Sequence, residues 1–356
     1  MKKHLLIIAP YPINEAPSQR FRFEHFLKFI EDEELTYDFR PFLSTKTWKI
    51  LYQSGFSVQK SFGIISAYFS RLWLLFSIRK YDFVLIHREA TPLGPPLIEF
   101  VIARFWKKRI IYDFDDAIWL NDPNGESPVF KWLKWRSKIK RICSWSWKVT
   151  TGNDYLAAYA REYCRQVEIL PTVVDTTAHR PSPANASNEL TIGWTGSHST
   201  LHYLKPLLSV LKELESDYEF TFLVIANKDP QLPLQQYRFI PWSKTSEVTD
   251  LQQIDIGVMP LEENEWSQGK CGFKLIQYLS LGIPAVASPV GVNAEIVLHE
   301  QTGLLAKTQE EWKQALVQLI ESPQLRKSYG IAGRKLIGNR FSVESQKETF
   351  MKLFQE

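Results

Sequence analysis

Short apolar runs alternate with amphipathic helical patterns along the whole chain. An apolar run of four to eight residues between turn signals is typical of a buried strand. Alternation of such strands with helices predicts an α/β architecture with parallel sheets. The predicted strands cover residues 4–9, 35–40, 82–87, 109–113, 148–151, 167–170, 190–194, 220–226, 237–240, 254–259 and 285–288.

The alternation is interrupted once, at residues 176–189. This stretch is rich in Pro, Ser, Ala and Asn and has no apolar period, which indicates a linker. We therefore predict two doubly wound domains, residues 1–175 and 190–339, with a cleft between them. A chain of 356 residues is long enough to give each domain its own core.

Composition excludes several classes of protein. The chain is 44% hydrophobic with a net charge of +4, and it has no recognised nucleic-acid motif, so we expect no nucleic-acid partner. Its three cysteines have neither zinc-ligand spacing nor a disulfide pattern, which favours a reducing compartment. The first apolar run is too short for a signal peptide, and we expect a cytoplasmic protein.

Two segments of the first domain have the character of membrane-binding helices. Residues 62–78 are apolar except for Arg71, and they predict a buried or surface-embedded helix rather than a span. Residues 129–147 carry six cations and no acidic residue. If they form one amphipathic helix with Trp132 and Trp135 on its apolar face, that helix would bind an anionic membrane surface. Alternatively, both tryptophans pack into the core.

Residues 269–291 predict a lysine-bearing loop, a helix and a buried strand. Lys270, Lys274 and Gln277 are spaced to share one helix face, and Gly282 has the position of a C-terminal cap. Two cations near a helix N-terminus suit a diphosphate, because the free backbone N–H groups there also attract anions. The alternative is a solvated helix face with two lysines.

Two further strand-end loops are candidate anion sites. Gly196, Ser197 and Thr200 follow the seventh predicted strand, where glycine allows close backbone approach and the hydroxyls can donate. The Walker and dinucleotide-binding motifs are both absent, and a simple capped turn is the alternative. Arg20 and Arg22 follow the first strand, in what we predict to be the first turn of a helix. A bound anion explains cations there; otherwise they are surface arginines.

Polar side chains also follow the third and fourth predicted strands. His87 and Glu89 follow the third strand, and Asp113, Asp115 and Asp116 follow the fourth. The three carboxylates repel one another unless cations, hydrogen-bond donors or a metal meet them. Acceptor binding, helix capping and a magnesium or calcium site are all compatible with the pattern, although it matches no EF-hand loop. His87 is either a site residue or a core histidine.

Together these motifs resemble bacterial glycosyltransferase family 4, over nearly the full length. The resemblance rests on the arginine-bearing first loop, residues 171–175 and 302–305, and the sequences DFDDAIW, GWTGSHST, DIGVMPL and GKCGFKLIQYLSLGIPAVASPVG. It implies the GT-B fold, in which two Rossmann-like domains face a central cleft. It also implies that residues 340–356 cross back onto the first domain.

The resemblance implies a role for each matching residue. Lys270 and Lys274 would neutralise the donor diphosphate, and Gly196 and Ser197 would approach it from the other side. Gln277 stands where many relatives have a ribose-binding glutamate. The other implied donor contacts are Thr200, Trp242 against the base, and Tyr278. Arg20, Arg22, His87, Glu89 and Asp113 would bind the acceptor, and Asp115 and Asp116 replace a histidine that many relatives have nearby. We therefore count Lys270, Lys274, His87, Asp115 and Asp116 as catalytic candidates.

The implied reaction transfers a sugar from a nucleotide-sugar, such as a UDP- or GDP-sugar, with retention of configuration. No metal or other cofactor is required. We expect a lipid-linked or polysaccharide acceptor at the inner membrane face. Two alternatives remain: a non-catalytic sugar-nucleotide-binding scaffold, which the glutamine at position 277 motivates, and a sugar-nucleotide epimerase or hydrolase.

Overall fold

The computed structural model describes residues 2–30, 35–51, 53–121, 125–182 and 189–355. The chain divides into two compact units. Unit 1 comprises Met1–Thr172 and Gln346–Glu356, and unit 2 comprises Val173–Ser345. Each unit contains a six-stranded sheet in which every paired strand is parallel. The predicted α/β architecture is confirmed.

The sheet of unit 1 has the strand order β2-β1-β3-β4-β5-β6. Its central strands are buried on both faces, which explains why they are continuous apolar runs in the sequence. In the register of these strands, Asp113 lies beside His87 on one side and beside Thr150 on the other. The strands are β1 (Lys3–Ala9), β2 (Leu35–Pro41), β3 (Phe83–His87), β4 (Arg109–Phe114), β5 (Lys148–Thr151) and β6 (Val167–Ile169).

Helices connect these strands, and short 3₁₀ or π segments extend some of them. The 3₁₀ segments are Glu24–Phe26 and Leu75–Lys80, and a π-helical segment covers Val101–Phe105. The α-helices are α1 (Pro17–Arg20), α2 (Leu27–Ile30), α3 (Thr45–Leu51), α4 (Ser57–Leu74), α5 (Leu97–Phe100), α6 (Pro128–Lys134), α7 (Lys138–Trp145) and α8 (Asp154–Arg161).

The sheet of unit 2 has the strand order β12-β11-β10-β7-β8-β9. Eleven strands of the two sheets coincide with predicted runs to within two residues at each end; β12 was not predicted. The strands are β7 (Thr191–Gly196), β8 (Thr221–Ala226), β9 (Tyr237–Pro241), β10 (Ile256–Met259), β11 (Ala285–Ala287) and β12 (Gly303–Leu305).

A 3₁₀ segment, His198–Leu204, leads into the first helix of unit 2. The last helix, α16, begins in unit 2 and ends in unit 1, where Phe350 stacks on Phe26 at 4.5 Å. The helices are α9 (Lys205–Leu214), α10 (Glu247–Leu251), α11 (Glu265–Gln268), α12 (Phe273–Ser280), α13 (Asn293–Ile296), α14 (Gln309–Glu321), α15 (Pro323–Arg340) and α16 (Val343–Lys352).

Helix α12 ends as its sequence predicts. Gly282 follows the helix with φ +75°, and the N–H of Ile283 bonds back to the Tyr278 carbonyl. Its start differs from the prediction. Gly272, with φ +64°, forms the N-cap, so Lys270 lies in the preceding loop and not on the helix. Only Lys274 and Gln277 are helical.

The segment 129–147 is not the single amphipathic helix that its charge pattern predicts. Helices α6 and α7 are separated by a break at Trp135, whose φ is +47°. Ile139 and Ile142 are core residues of unit 1, and Lys138 is buried as well, whereas Trp132 is exposed. The predicted stripe of apolar residues is thus divided between the core and the surface.

The predicted linker is described only in part, because residues 183–188 lie outside the described ranges. The residues before them are held to unit 2 by Arg334 of α15. Its guanidinium donates to the carbonyl of His179 at 2.6 Å and to that of Thr176 at 3.1 Å.

Helix α15 packs closely on the end of α12, and this packing predicts how substitutions of two glycines in α15 change the free energy of unfolding. A Cβ atom at Gly330 would lie 2.0 Å from the Gly282 carbonyl oxygen, whereas one at Gly338 meets no atom within 4 Å. Because backbone must move, Gly330→Ala is expected to destabilise the protein by about 1–3 kcal/mol. Gly338→Ala in the same helix should stabilise it by about 0.5–1 kcal/mol. Urea unfolding of both variants measures the difference, and equal effects would contradict the packing argument.

Candidate functional site

The loop after β7 lies against the ring of Trp194. A Cβ atom at Gly196 would lie 2.4 Å from that ring and 2.8 Å from the Thr200 hydroxyl, so only glycine fits there. The Thr200 hydroxyl donates to the Ser197 carbonyl at 2.9 Å, which closes the turn. Ser197 is exposed and its hydroxyl lies 2.8 Å from that of Ser199. The loop therefore presents Gly196 backbone and serine hydroxyls, with Thr200 in a supporting position.

Lys274 of α12 lies beside the same aromatic ring. Its Nζ is 5.3 Å from the centroid of the Trp194 ring, a cation–π distance. Trp194 is buried, so it forms a fixed wall between the lysine and the Gly196 loop. Two segments that are 78 residues apart in sequence thus meet at one place, as the anion-site hypothesis requires. The sequence analysis did not single out Trp194, although it stands two residues before Gly196.

Tyr278 supports this arrangement from within the core of unit 2. It is fully buried, and its hydroxyl accepts the backbone N–H of Thr195 at 2.9 Å. A Cβ atom at Gly257 of β10 would lie 2.4 Å from the tyrosine ring, so that strand approaches Tyr278 closely. Tyr278 therefore joins α12 to the end of β7, and its contact with a donor stays a prediction.

Gln277 is the unusual polar residue of α12. Its side chain is 3% exposed, and its Nε2 has no hydrogen-bond partner among the described residues. An unpaired buried amide costs stability, and it commonly marks a place where a ligand or water completes the bonding. The position implied for ribose recognition therefore holds a donor group with unused capacity.

The remaining predicted donor residues, Lys270 and Trp242, each contact a neighbour in the sequence. Lys270 has its Nζ 5.0 Å from the Trp266 ring centroid. Trp242 follows β9 and donates its indole N–H to Glu247 at 3.3 Å. Asn227, which the sequence analysis missed, accepts the backbone N–H of His198 at 2.7 Å and so ties the end of β8 to the Gly196 loop.

A cavity of about 370 Å³ lies beyond the carboxyl ends of β10 and β11. This is within the usual range for a small-molecule pocket, and its place agrees with the rule for doubly wound sheets. None of the predicted donor residues lines it. Its walls include Tyr203, Leu261, Ser288, Val290 and Trp312.

In unit 1, the polar strand-end residues form a buried network around Asp113. The carboxylate accepts from His87 Nδ1 and from the Thr150 hydroxyl, each at 2.7 Å, and pairs with the Arg22 guanidinium. Burial by itself would raise the pKa of Asp113, but Arg22 and His87 outweigh burial and hold that pKa well below its ordinary value. Nε2 of His87 has no partner among the described residues.

Three of the residues predicted to bind the acceptor are buried in unit 1. Arg22 is 1% exposed, Asp113 is 2% exposed and His87 is fully buried, so the three form a core network of unit 1. Helix α1 is a single turn that ends at Arg20, so Arg20 lies in the first turn as predicted, whereas Arg22 lies beyond the helix. The Arg20 guanidinium lies over the Phe21 ring at 4.6 Å.

The other carboxylates are also met by cations. Arg88, which adopts φ +60°, pairs with Asp115 at 2.8 Å and with Asp116 at 2.9 Å. Glu89 pairs with the buried Lys138 at 2.5 Å, and burial raises the pKa of that glutamate. Across the described part of the chain, no group of three His, Cys, Asp or Glu is placed to hold a metal ion. The structure therefore shows that a neighbouring cation offsets the repulsion between Asp115 and Asp116.

Residues 189–322 match the family described as Glycosyl transferases group 1. A curated relative, glycosyltransferase 1 domain-containing protein 1 of Xenopus tropicalis, is 26% identical over 105 residues. That alignment covers 30% of this chain and 30% of the relative, so the similarity spans less than a third of either protein. Residues 189–322, which match the family, contain every predicted donor residue.

Solved structures resemble the chain over its whole length. Sucrose-phosphate synthase from Thermosynechococcus elongatus has a TM-score of 0.71 at 13% identity, with 99% of this chain and 98% of the other covered. Anabaena Alr3699/HepE, solved in complex with UDP and glucose, also has a TM-score of 0.71 at 13% identity, with 99% of both chains covered. The GT-B fold that the sequence resemblance implied is confirmed.

Proposed function

We propose that this chain is a retaining glycosyltransferase that uses a nucleotide-sugar donor. The observation that carries the proposal is the meeting of Lys274 with the Gly196 loop across Trp194, inside the region that matches Glycosyl transferases group 1. The ammonium would stabilise the charge that develops on the departing diphosphate. A UDP-sugar is the first donor to test, because the Anabaena neighbour was solved with UDP.

In the proposed reaction, the bond between the anomeric carbon and the diphosphate oxygen breaks while the acceptor hydroxyl attacks from the same face. The acceptor proton passes to the departing diphosphate, so no separate protein base is needed. We propose that no metal takes part. The pairing of Asp115 and Asp116 with Arg88 supports this, because those carboxylates already have a cationic partner. We further propose a lipid-linked or polysaccharide acceptor, used in cell-surface glycan synthesis at the inner membrane face.

A thermal-shift screen with UDP-, GDP- and ADP-sugars tests the donor class. A donor at about 100 times its Kd stabilises the native state by about 2.7 kcal/mol, which is a shift of several degrees in Tm. We expect a shift with one nucleotide series and none with the free sugars. No shift in any of the three series would contradict the proposal.

The glutamine at position 277 favours a second candidate, a protein that binds sugar nucleotides without transferring the sugar. An uncharged acceptor of hydrogen bonds makes a weaker contact to ribose hydroxyls than a glutamate does. Product analysis separates the candidates. A donor that raises Tm but is neither transferred nor hydrolysed supports the binding protein, whereas nucleoside diphosphate released without an acceptor indicates a hydrolase.

Gln277→Leu tests the ribose assignment. We expect about a tenfold loss of donor affinity, equivalent to about 1.4 kcal/mol, because one hydrogen bond is lost. Stability without donor should stay the same or rise, since the variant removes a buried amide that lacks a partner in the described structure. Calorimetric titration and urea unfolding measure the two effects. A destabilised variant with unchanged affinity would show that Gln277 has a structural role instead.

A further inference from the structure

Helix α4 and the following Leu75–Lys80 segment expose a continuous row of large apolar side chains. The row repeats at intervals of three or four residues, which places its members on one helix face. Each member is at least half exposed: Val58, Phe62, Ile65, Phe69, Leu72, Trp73 and Phe76. Monomeric soluble proteins rarely expose such a surface without a partner.

The opposite face of α4 is fixed to unit 1. Ala67, Arg71 and Leu74 are buried, and the Arg71 guanidinium donates to the carbonyls of Ala9 and Ala90 at 3.0 and 2.9 Å. The Tyr68 hydroxyl donates to the Leu93 carbonyl at 2.9 Å. The arginine in the middle of this apolar segment therefore belongs to the protein side of the helix. The exposed row belongs to a helix that is held in place, not to a loose end.

By length and hydropathy, Ser57–Lys80 is the one helix in the described chain that could cross a membrane. Crossing would remove Arg71 from its two carbonyl partners and place a cation in the bilayer, which costs at least about 2.5 kcal/mol by insertion scales. Only 22% of the apolar stretch of this helix is buried. A helix with one face packed and one apolar face exposed suits the interface plane instead.

The charges around this helix complement an anionic surface. Residues 42–81 contain no aspartate or glutamate, but they contain six cations, of which Lys46, Lys49, Arg79 and Lys80 are exposed. Lys80 pairs with Asp38, which leaves the other three for an anionic surface. The Leu75–Lys80 segment lies beside the Val101–Phe105 segment, which adds exposed Phe105 and Arg104. Aromatic side chains and cations side by side are typical of helices that bind at the headgroup level of anionic membranes.

We propose that the exposed face of α4 and Leu75–Lys80 docks on the anionic surface of a lipid bilayer, with the helix lying in the interface. This moves the membrane contact away from residues 129–147. There Lys134 and Arg136 pair with Glu126 and Lys138 pairs with Glu89, which leaves fewer cations for lipid. The proposal concerns a surface and does not depend on sugar transfer.

Flotation of the full chain with vesicles tests the proposal. We expect binding to phosphatidylcholine vesicles with about 30% phosphatidylglycerol at low salt, and weaker binding at high salt. The double variant Phe69→Ser/Trp73→Ser should lower the bound fraction at least tenfold. Ile331→Ser is the matched control, because Ile331 is 65% exposed on α15 of unit 2, and it should bind like the unchanged protein. Circular dichroism and the donor-induced Tm shift show whether each variant remains folded.

Three results would overturn the proposal. The first is the absence of vesicle binding by the unchanged protein. The second is a double variant that still binds while Trp132→Ser does not, which would return the contact to α6. The third is that the unchanged protein forms a dimer and binds no vesicles, and that the double substitution converts this dimer to a monomer. The spacing of three and four residues in the row also suits packing against a helix from a second copy. Failure of sugar transfer in a protein that still binds vesicles would leave the proposal intact.

Discussion

Lys274→Ala is expected to reduce kcat for sugar transfer by about 10²–10³-fold, equivalent to about 3–4 kcal/mol of lost transition-state stabilisation. The reason is its place beside Trp194 and the Gly196 loop, where no other described lysine lies over that ring. Native stability should change little, because the Lys274 side chain is only half-buried. Steady-state kinetics with the donor found in the screen measures the loss.

Two further variants make this result interpretable. Lys274→Arg keeps the cation and should recover part of the activity, although its planar group differs in reach and hydrogen bonding. Lys212→Ala removes an exposed lysine of α9 and should retain full activity. Unchanged turnover in Lys274→Ala would remove the basis of the donor assignment.

The second large effect is expected at Asp113. Asp113→Ala should destabilise the protein by about 3–5 kcal/mol, because it leaves the buried Arg22 guanidinium without its carboxylate. His87 and Thr150 lose their shared acceptor at the same time. Urea unfolding at pH 7 measures the change. Asp154→Ala, at an exposed helix N-terminus, is the control and should cost no more than about 1 kcal/mol.

The Asp113 carboxylate also makes the free energy of unfolding depend on pH in the acidic range. Its folded-state pKa lies below the unfolded value of about 3.9, so its contribution is complete above that pH and is lost as the pH falls toward the folded pKa. The unchanged protein should therefore lose stability below about pH 4. Asp113→Asn should lack this part of the loss, and identical acid profiles for the two proteins would contradict the assignment.

The fold was largely predictable because buried parallel strands are continuous apolar runs, which a sequence shows directly. β12, Gly303–Leu305, was missed because it begins with a glycine, a residue that is depleted in strands, and has only two apolar side chains. The break at Trp135 was missed for another reason: its positive φ contradicts the preference of a bulky side chain, and no glycine or proline marks the place. A periodic pattern shows which residues could share a helix face, not whether the helix continues.

The types of residue at the site could be predicted from the sequence, but the contacts between those residues could not. The lysines and glycines after the strands were visible as anion-binding chemistry. Arg22 and Asp113, however, are 91 residues apart, and a single sequence does not show that they neutralise each other. The burial of Gln277 and the contact of Trp194 with both Lys274 of α12 and the Gly196 loop likewise depend on packing. The network that joins Arg22, His87 and Asp113 in the core of unit 1 was also not visible in the sequence.

The path of α16 has a consequence for how the protein is made. Unit 1 comprises Met1–Thr172, yet its last segment, Gln346–Glu356, follows unit 2 in the sequence. Phe350 and Phe354 pack on Phe26 and Phe83, which leave the ribosome long before them. Unit 2 is contiguous and can be completed during synthesis. The unit that is synthesised first is thus the one that is finished last, and a chain that stops before α16 leaves its aromatic core uncovered.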